Sequence, residues 1–374
     1  MRVLLICSFY DNFVEQLYTY LMKYYSDIEF SILTSHKASK EYIELADDKV
    51  FFPVEDNYIG YRKLLAGLPQ FDIVQMLWIE PLWGIFIGEI AKRTNSVYIS
   101  VGGSDLYRDS KSRIIRFLQK KILSYADCVS SENTQTMEFF KKRYGKKYSM
   151  IPHHIARFGV DVFDNIDSVG FRLNKEQIKE KWRIGSDKMV IMLGHNGRKQ
   201  HNHLRMIEAI DRLDKDDKDK LAVIIPMTYG TPNEEYLMKV ETAIKKVGVD
   251  YHVPTEYMNN DQMAELAIMT DIMVHVQDTD QLSSTMLSCM YAGSYVIAGS
   301  WLPYDSLKEA GIYFEYVNGF EELTLKIMNA IHNKCYVTEC MGNRDKVRIL
   351  SSWKNCAKVW HDIYASLYYK RNES

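Results

Sequence analysis

The chain lacks a long apolar run. No stretch reaches the ~18 consecutive apolar residues that a membrane-spanning helix needs, and the opening MRVLLICSFYDNF is too short for a signal peptide or a span. It reads instead as a first β-strand. Paired cysteines are also missing. Cys7, Cys128, Cys289, Cys335, Cys340 and Cys356 are scattered, with no C-x-x-C. Most sit in apolar or helical patterns, as buried thiols do, which predicts a reducing cytoplasm without disulfides or zinc. A net charge of −2 over 374 residues gives no global field for nucleic acid. No repeat and no low-complexity tract appears. The first strand-to-helix loop, CSFYDN (7–12), has no GxGxxG, which argues against a dinucleotide oxidoreductase.

What is present is a two-domain length with 47% hydrophobic residues. Short apolar runs alternate with helical patterns throughout. Strands are expected at Val3–Cys7, Ile28–Leu33, Lys49–Pro53, Ile73–Leu77, Val97–Val101, Cys128–Ser131 and Tyr148–Pro152. A second series is expected at Met189–Gly194, Ala222–Pro226, Asp250–Val253, Ile272–Val276, Tyr295–Gly299 and Ile312–Glu315. This alternation predicts an α/β fold with parallel sheets covered on both faces. The halves divide near 153–188, and an amphipathic segment near 344–370 predicts a final long helix. Periodicity alone leaves open whether it packs on the second domain or crosses back to the first.

The densest information lies in 275–300, HVQDTDQLSSTMLSCMYAGSYVIAGS. A buried strand ends at His275–Val276, a polar loop carries Asp278 and Asp280, and a helix starts at Ser283, Ser284 and Thr285. A helix N-terminus at the C-terminal edge of a parallel sheet is an anion site. In an ordinary strand–loop–helix unit the same residues would only cap the helix.

That layout resembles the donor-binding loop of GT-B glycosyltransferases, and the resemblance extends over nearly the whole chain. YADCVSSENTQTMEFFKKRYGKKYSMIPHHI (125–155) looks like the end of their first domain, and VIMLGHNGRKQHNHLRMIEAI (190–210) like the opening of their donor domain. The resemblance implies two Rossmann-like, doubly wound domains facing a cleft. Residues 1–160 would bind acceptor and 161–343 a nucleotide sugar, with 344–374 returning to the first domain. The stretches 190–210 and IIPMTYGTPNEEYLMKV (224–240) are also similar to the lipid-intermediate transferases that add 4-acetamido-4,6-dideoxygalactose in enterobacterial surface polysaccharide.

The family-4 retaining enzymes of this fold carry two glutamates eight positions apart, where this chain has Asp280 and Ser288. A serine is not a charged acceptor for ribose hydroxyls, so the retaining mechanism is not carried over. Their usual histidine corresponds to Gly102, which hints at a 6-deoxy or bulky donor sugar.

A departing diphosphate is stabilised without metal by Arg, Lys and helix N–H groups. Arg198 and Lys199, with Asn196, Ser283, Ser284 and Thr285, are the candidates. Gly194 and Gly197 let backbone approach a phosphate. Thr228, Tyr229 and Gly230 sit at the next strand end, where Tyr229 would stack on a base; Ser288 joins this group. A plain Gly-Pro turn and a solvated basic loop are the alternatives. Three histidines nearby, His195, His201 and His203, lack a metal-ligand spacing, and no metal or other cofactor is expected. Asp280 would contact the sugar.

On the acceptor side are Asp11, Gly102, Gly103 and Arg108. Asp105, and after it Glu80, is the candidate base if the anomeric centre inverts. Asp105 is also readable as a cap or loop brace, and for Glu80 and for Asp11, as an N-cap, the structural reading is the stronger one.

Between 108 and 147 basic residues outnumber acidic ones eleven to four. The helix near 110–124 interleaves them with Ile114, Ile115, Phe117, Leu118 and Ile122, a pattern fit for an anionic membrane surface or for a core-facing helix with a solvated basic side. The expected activity is transfer from a nucleotide-diphosphate sugar to a polyprenyl-diphosphate-linked oligosaccharide of O-antigen or capsule. The protein would be cytoplasmic or peripheral at the inner membrane face. A nucleotide-sugar epimerase and a non-catalytic nucleotide-sugar-binding protein are the other readings.

Overall fold

The computed structural model describes residues 1–8, 12–35, 49–107, 112–230, 233–334 and 336–372. The chain divides into two compact units, Met1–Gly159 together with Trp353–Ser374, and Val160–Ser352.

Unit 1 is one seven-stranded parallel sheet: β1 (Arg2–Cys7), β2 (Glu29–Thr34), β3 (Val50–Phe51), β4 (Phe71–Leu77), β5 (Thr94–Ser100), β6 (Cys128–Ser131) and β7 (His153–Ile155). Their spatial order is β3-β2-β1-β4-β5-β6-β7. The central strands are apolar on both faces because helices cover both. Leu4, Ile6, Val74, Met76 and Ile99 bury one face, and Val3, Leu5, Ile73, Leu77 and Tyr98 the other.

Unit 2 repeats the plan with β8 (Met189–Leu193), β9 (Leu221–Ile224), β10 (Asp250–His252), β11 (Ile272–His275), β12 (Tyr295–Gly299) and β13 (Glu315–Val317). The order β10-β9-β8-β11-β12-β13 is again parallel. Each sheet therefore reverses its winding next to its first strand, between β1 and β4 and between β8 and β11. Ligands bind at the carboxyl ends of strands at such switch points.

The last helix, Trp353–Asn372, packs in unit 1. Trp353, Ala357, Trp360, Ile363 and Tyr364 join Val3, Leu5 and Leu17 in one core. Trp360 Nε1 donates to the Arg157 carbonyl at 2.8 Å, and the Tyr364 hydroxyl donates to Gln75 Oε1. Gln75 Nε2 donates to Ser100 Oγ at 2.7 Å and Tyr98 donates to Ser130 Oγ at 2.6 Å, so the buried hydroxyls of Tyr364 and Tyr98 are both satisfied.

Several expectations need correction. The segment 344–374 is two helices, not one: Asn343–Ser351 stays in unit 2 and only the helix from Trp353 onward belongs to unit 1. The strand expected at Tyr148–Pro152 lies instead at His153–Ile155, after a helical turn Lys146–Ser149. The edge strand expected at Ile312–Glu315 begins at Glu315. A helix at Phe163–Arg172, burying Phe163, Ile166 and Val169, occupies part of the expected linker.

Candidate active site

In unit 2 the loop after β8 is shaped by Gly194, at φ 68°, where a Cβ would lie 3.0 Å from His203 Nε2 and 3.2 Å from His201 Nδ1. Only glycine suits that backbone and that space. Gly197 N–H donates to the Tyr229 carbonyl at 2.8 Å, tying this loop to the one after β9. Asn196 Oδ1 accepts from Arg198 N–H at 3.0 Å. Arg198 lies exposed against Gly230, whose φ is 86° and where a Cβ would be 2.8 Å from Arg198 Cγ. Lys199 is exposed beside it.

Across the switch point, Asn202 Nδ2 donates to the Val276 carbonyl and to Asp278 Oδ1, both at 2.9 Å, and Asp278 N–H returns to the Gln200 carbonyl at 2.9 Å. The helix Ser284–Ala292 follows. Ser283 caps it by accepting from Met286 N–H at 3.2 Å. Helix geometry leaves the amides of Ser284 and Thr285 without an intrahelical acceptor. Ser284 is exposed at this tip and Thr285 is buried. Ser288 lies one turn inward, buried, its hydroxyl donated to the Ser284 carbonyl at 3.0 Å.

Tyr229 draws these pieces together. Its ring is 43% exposed. Its hydroxyl is pushed up to about 12 by burial, and Asn196, Asp280, Thr285 and Arg198 all act on it. Four imidazoles back the same edge. His195 and His275 stack at 5.3 Å, and His195 meets His201 edge-on at 4.3 Å. Burial lowers the basicity of His195 and His201 strongly and brings His203 to about 4, so these three are neutral at pH 7. Among the described residues no three His, Cys, Asp or Glu side chains are arranged to hold a metal ion.

Asp280 is positioned by residues that spacing in the sequence does not reveal. The buried Tyr304 hydroxyl donates to Asp280 Oδ2, and His275 Nε2 lies 2.8 Å from that hydroxyl and 3.4 Å from Asp280 Oδ2. Tyr304 is 24 positions from Asp280, after β12, and its only signal was its place at a strand's carboxyl end.

In unit 1 the corresponding switch point is bridged by Ser8, after β1, which donates to Glu80, after β4. Trp83 Nε1 also donates to Glu80, at 3.2 Å. Asp105 Oδ2 accepts from Ile79 N–H at 2.7 Å, while its Oδ1 is buried without a protein partner. Burial raises the Asp105 pKa to about 7, against the lowering effect of backbone N–H groups; Glu80 adds to the rise. Gly103 opens the short helix Gly103–Tyr107 that carries Asp105. Asp11 and Arg108 lie outside the described residues.

The structure places Arg198, Lys199, Asn196, Gly194, Gly197, Thr228, Tyr229, Gly230, Asp280 and Ser283–Thr285 around one sheet edge of unit 2. It places Glu80, Gly102, Gly103 and Asp105 at one edge of unit 1. Ser288 is the member turned away from its loop.

A family model described as 4-alpha-L-fucosyltransferase, glycosyl transferase group 56, matches residues 69–271. The chain belongs to that family. It is a glycosyltransferase of GT-B fold. The matched span includes Asp105 and the loops after β8 and β9, but stops before Asp280. No curated protein matches the sequence. Among solved structures, HepE of Anabaena in complex with UDP and glucose superposes with a TM-score of 0.76 at 13% identity, over 98% of this chain and 100% of that one. A glycosyltransferase from Rickettsia africae gives 0.77 at 15% identity, over 98% of each chain. Sucrose-phosphate synthase from Thermosynechococcus elongatus gives 0.76 at 12% identity, over 99% and 100%. At these identities the likeness is one of fold.

Proposed function

We propose that the protein transfers a 6-deoxyhexose from a nucleoside-diphosphate donor, held without metal by unit 2, to a lipid-diphosphate-linked saccharide of surface polysaccharide synthesis. The observation that carries the donor assignment is the convergence of Arg198, Tyr229 and the Ser283–Thr285 helix start at one switch point. A guanidinium and helix-end N–H groups supply the positive charge that a leaving diphosphate needs. HepE, of the same fold, was solved with UDP and with UDP-glucose, which supports a nucleotide sugar as the donor. The sugar class rests on the family description, since L-fucose is a 6-deoxyhexose.

In the reaction an acceptor hydroxyl oxygen bonds to the anomeric carbon and the anomeric carbon–phosphate oxygen bond breaks. The nucleoside diphosphate leaves with the bonding pair. Asp280, fixed by Tyr304, binds a hydroxyl of the donor sugar. In an inverting transfer Asp105 takes the acceptor's proton, for which an acid–base group poised near 7 is suited.

The lipid-linked acceptor is supported by the helix Arg113–Leu123. Ile114 and Phe117 are 72% and 65% exposed on it, between Arg113, Arg116, Lys120 and Lys121. An apolar edge framed by cations suits an anionic bilayer surface. Among the described residues no helix is long and apolar enough to cross a membrane.

The test is transfer of labelled sugar from GDP-, UDP- and dTDP-linked 6-deoxyhexoses to extracted polyprenyl-diphosphate saccharides, with EDTA present. Turnover with one donor family is expected. Binding of UDP-glucose as tight as any 6-deoxy donor would remove the sugar assignment, and turnover abolished by EDTA would remove the metal-free one.

A further inference from the structure

Trp78 is the one described residue in unit 1, other than glycine, with a positive φ, at 71°. Left-handed backbone is an outlier for a bulky residue, and such positions gather at functional sites. It follows β4 directly, and its N–H donates to the Ser100 carbonyl at 2.8 Å. The indole lies flush on Gly102: a Cβ there would sit 2.1 Å from both Cδ1 and Nε1. Phe13, itself 45% exposed, meets it edge-on with centroids 6.2 Å apart. Trp78 nevertheless stays partly exposed. A strained backbone and a glycine thus hold, at the sheet edge, an aromatic ring that packs on the core and stays partly open to solvent.

The neighbouring groups say what the ring is for. Ile79, the residue after Trp78, holds Asp105 through its N–H, the other carboxyl oxygen of Asp105 is buried and unpartnered, and Glu80 follows in sequence. A pyranose has a C–H face and a hydroxyl rim. An indole face beside a carboxyl matches both halves, since C–H groups carrying partial positive charge rest on the electron-rich ring.

We propose that Trp78 is a stacking platform for the terminal sugar ring of the acceptor, which directs a ring hydroxyl to Asp105. This rests on the glycosyl-transfer reading above. Gly102 is then a specificity determinant because any side chain there evicts the indole.

The test is calorimetric titration of the full chain with methyl β-glycosides of glucose, galactose and N-acetylglucosamine as probes. At least one glycoside is expected to bind. Trp78→Ala should weaken that binding about tenfold or more, Gly102→Ala should do the same, and Trp78→Phe should stay within about threefold. Affinity for nucleoside diphosphates should be unchanged in all three variants, which shows that they fold. Unchanged glycoside affinity in Trp78→Ala, or no glycoside binding to the wild type, overturns the platform. Failure of every nucleoside diphosphate to bind the wild type would instead strike the donor reading, and leaves the glycoside result to be judged separately.

Discussion

Asp105 is the residue whose protonation most directly reports on the account. Its carboxyl is held neutral by burial until about pH 7. If it accepts the acceptor's proton, kcat/KM rises with pH through an acid limb near 7, and Asp105→Asn lowers kcat about a hundred-fold or more at pH 8. The same shift has a stability consequence of opposite sign. A carboxyl whose folded pKa is raised binds its proton more tightly folded than unfolded, so its contribution is most favourable below about pH 4. It is lost as pH rises to about 7. Asp105→Asn should therefore be more stable than wild type at pH 8, by up to roughly 4 kcal/mol, and the gain should vanish near pH 4, read by chemical denaturation at both pH values. At the donor edge, Arg198→Ala should weaken nucleoside-diphosphate binding about tenfold or more, because a charge-assisted contact to phosphate is lost. Equal affinity in calorimetry would remove Arg198 from the site. Tyr304→Phe should leave nucleoside-diphosphate affinity intact and raise KM for the nucleotide sugar, since it frees Asp280 rather than the diphosphate contacts.

At the scale of elements, the strands nearest each switch point were legible because they are continuous apolar runs bounded by small or polar residues. Val3–Ile6 and Ile272–Val274 are of this kind. The edge strands were not. His153 and His154 in β7 are exposed and carry no hydrophobic signature, while the buried Ile312 and Phe314 lie outside any strand. The helix Phe163–Arg172 has apolar residues at proper spacing, yet Val162 offers no side-chain cap and the segment is rich in Asp, so no start signal marked it. For the site, loop glycines and the helix cap were readable locally. Trp78, Tyr304 and His275 were not, because their roles depend on which strand ends become neighbours. The last helix carries a testable part of unit 1. Trp360→Ala removes a fully buried ring and should cost about 3–5 kcal/mol in denaturant unfolding. Tyr364→Phe, which leaves Gln75 without its donor, should cost about 1–3 kcal/mol. Changes below 0.5 kcal/mol in both would show the helix to be peripheral to that core.

For the whole molecule, two parallel sheets of matching order give two switch points with contrasting chemistry. Unit 2 presents Arg198, Lys199 and helix-end amides, suited to a diphosphate. Unit 1 presents an indole and two carboxyls, suited to a neutral saccharide with a hydroxyl to deprotonate. That division of labour is the central claim, and the donor half of it is the more exposed to a single experiment. The measurement is a thermal-shift titration of the full chain with UDP, GDP and dTDP, each with and without EDTA, alongside Arg198→Ala. A stabilisation by one nucleoside diphosphate that survives EDTA and is reduced in Arg198→Ala is the predicted result. Absence of a shift with all three, in a protein that melts cooperatively, would contradict the assignment of unit 2 as the donor site.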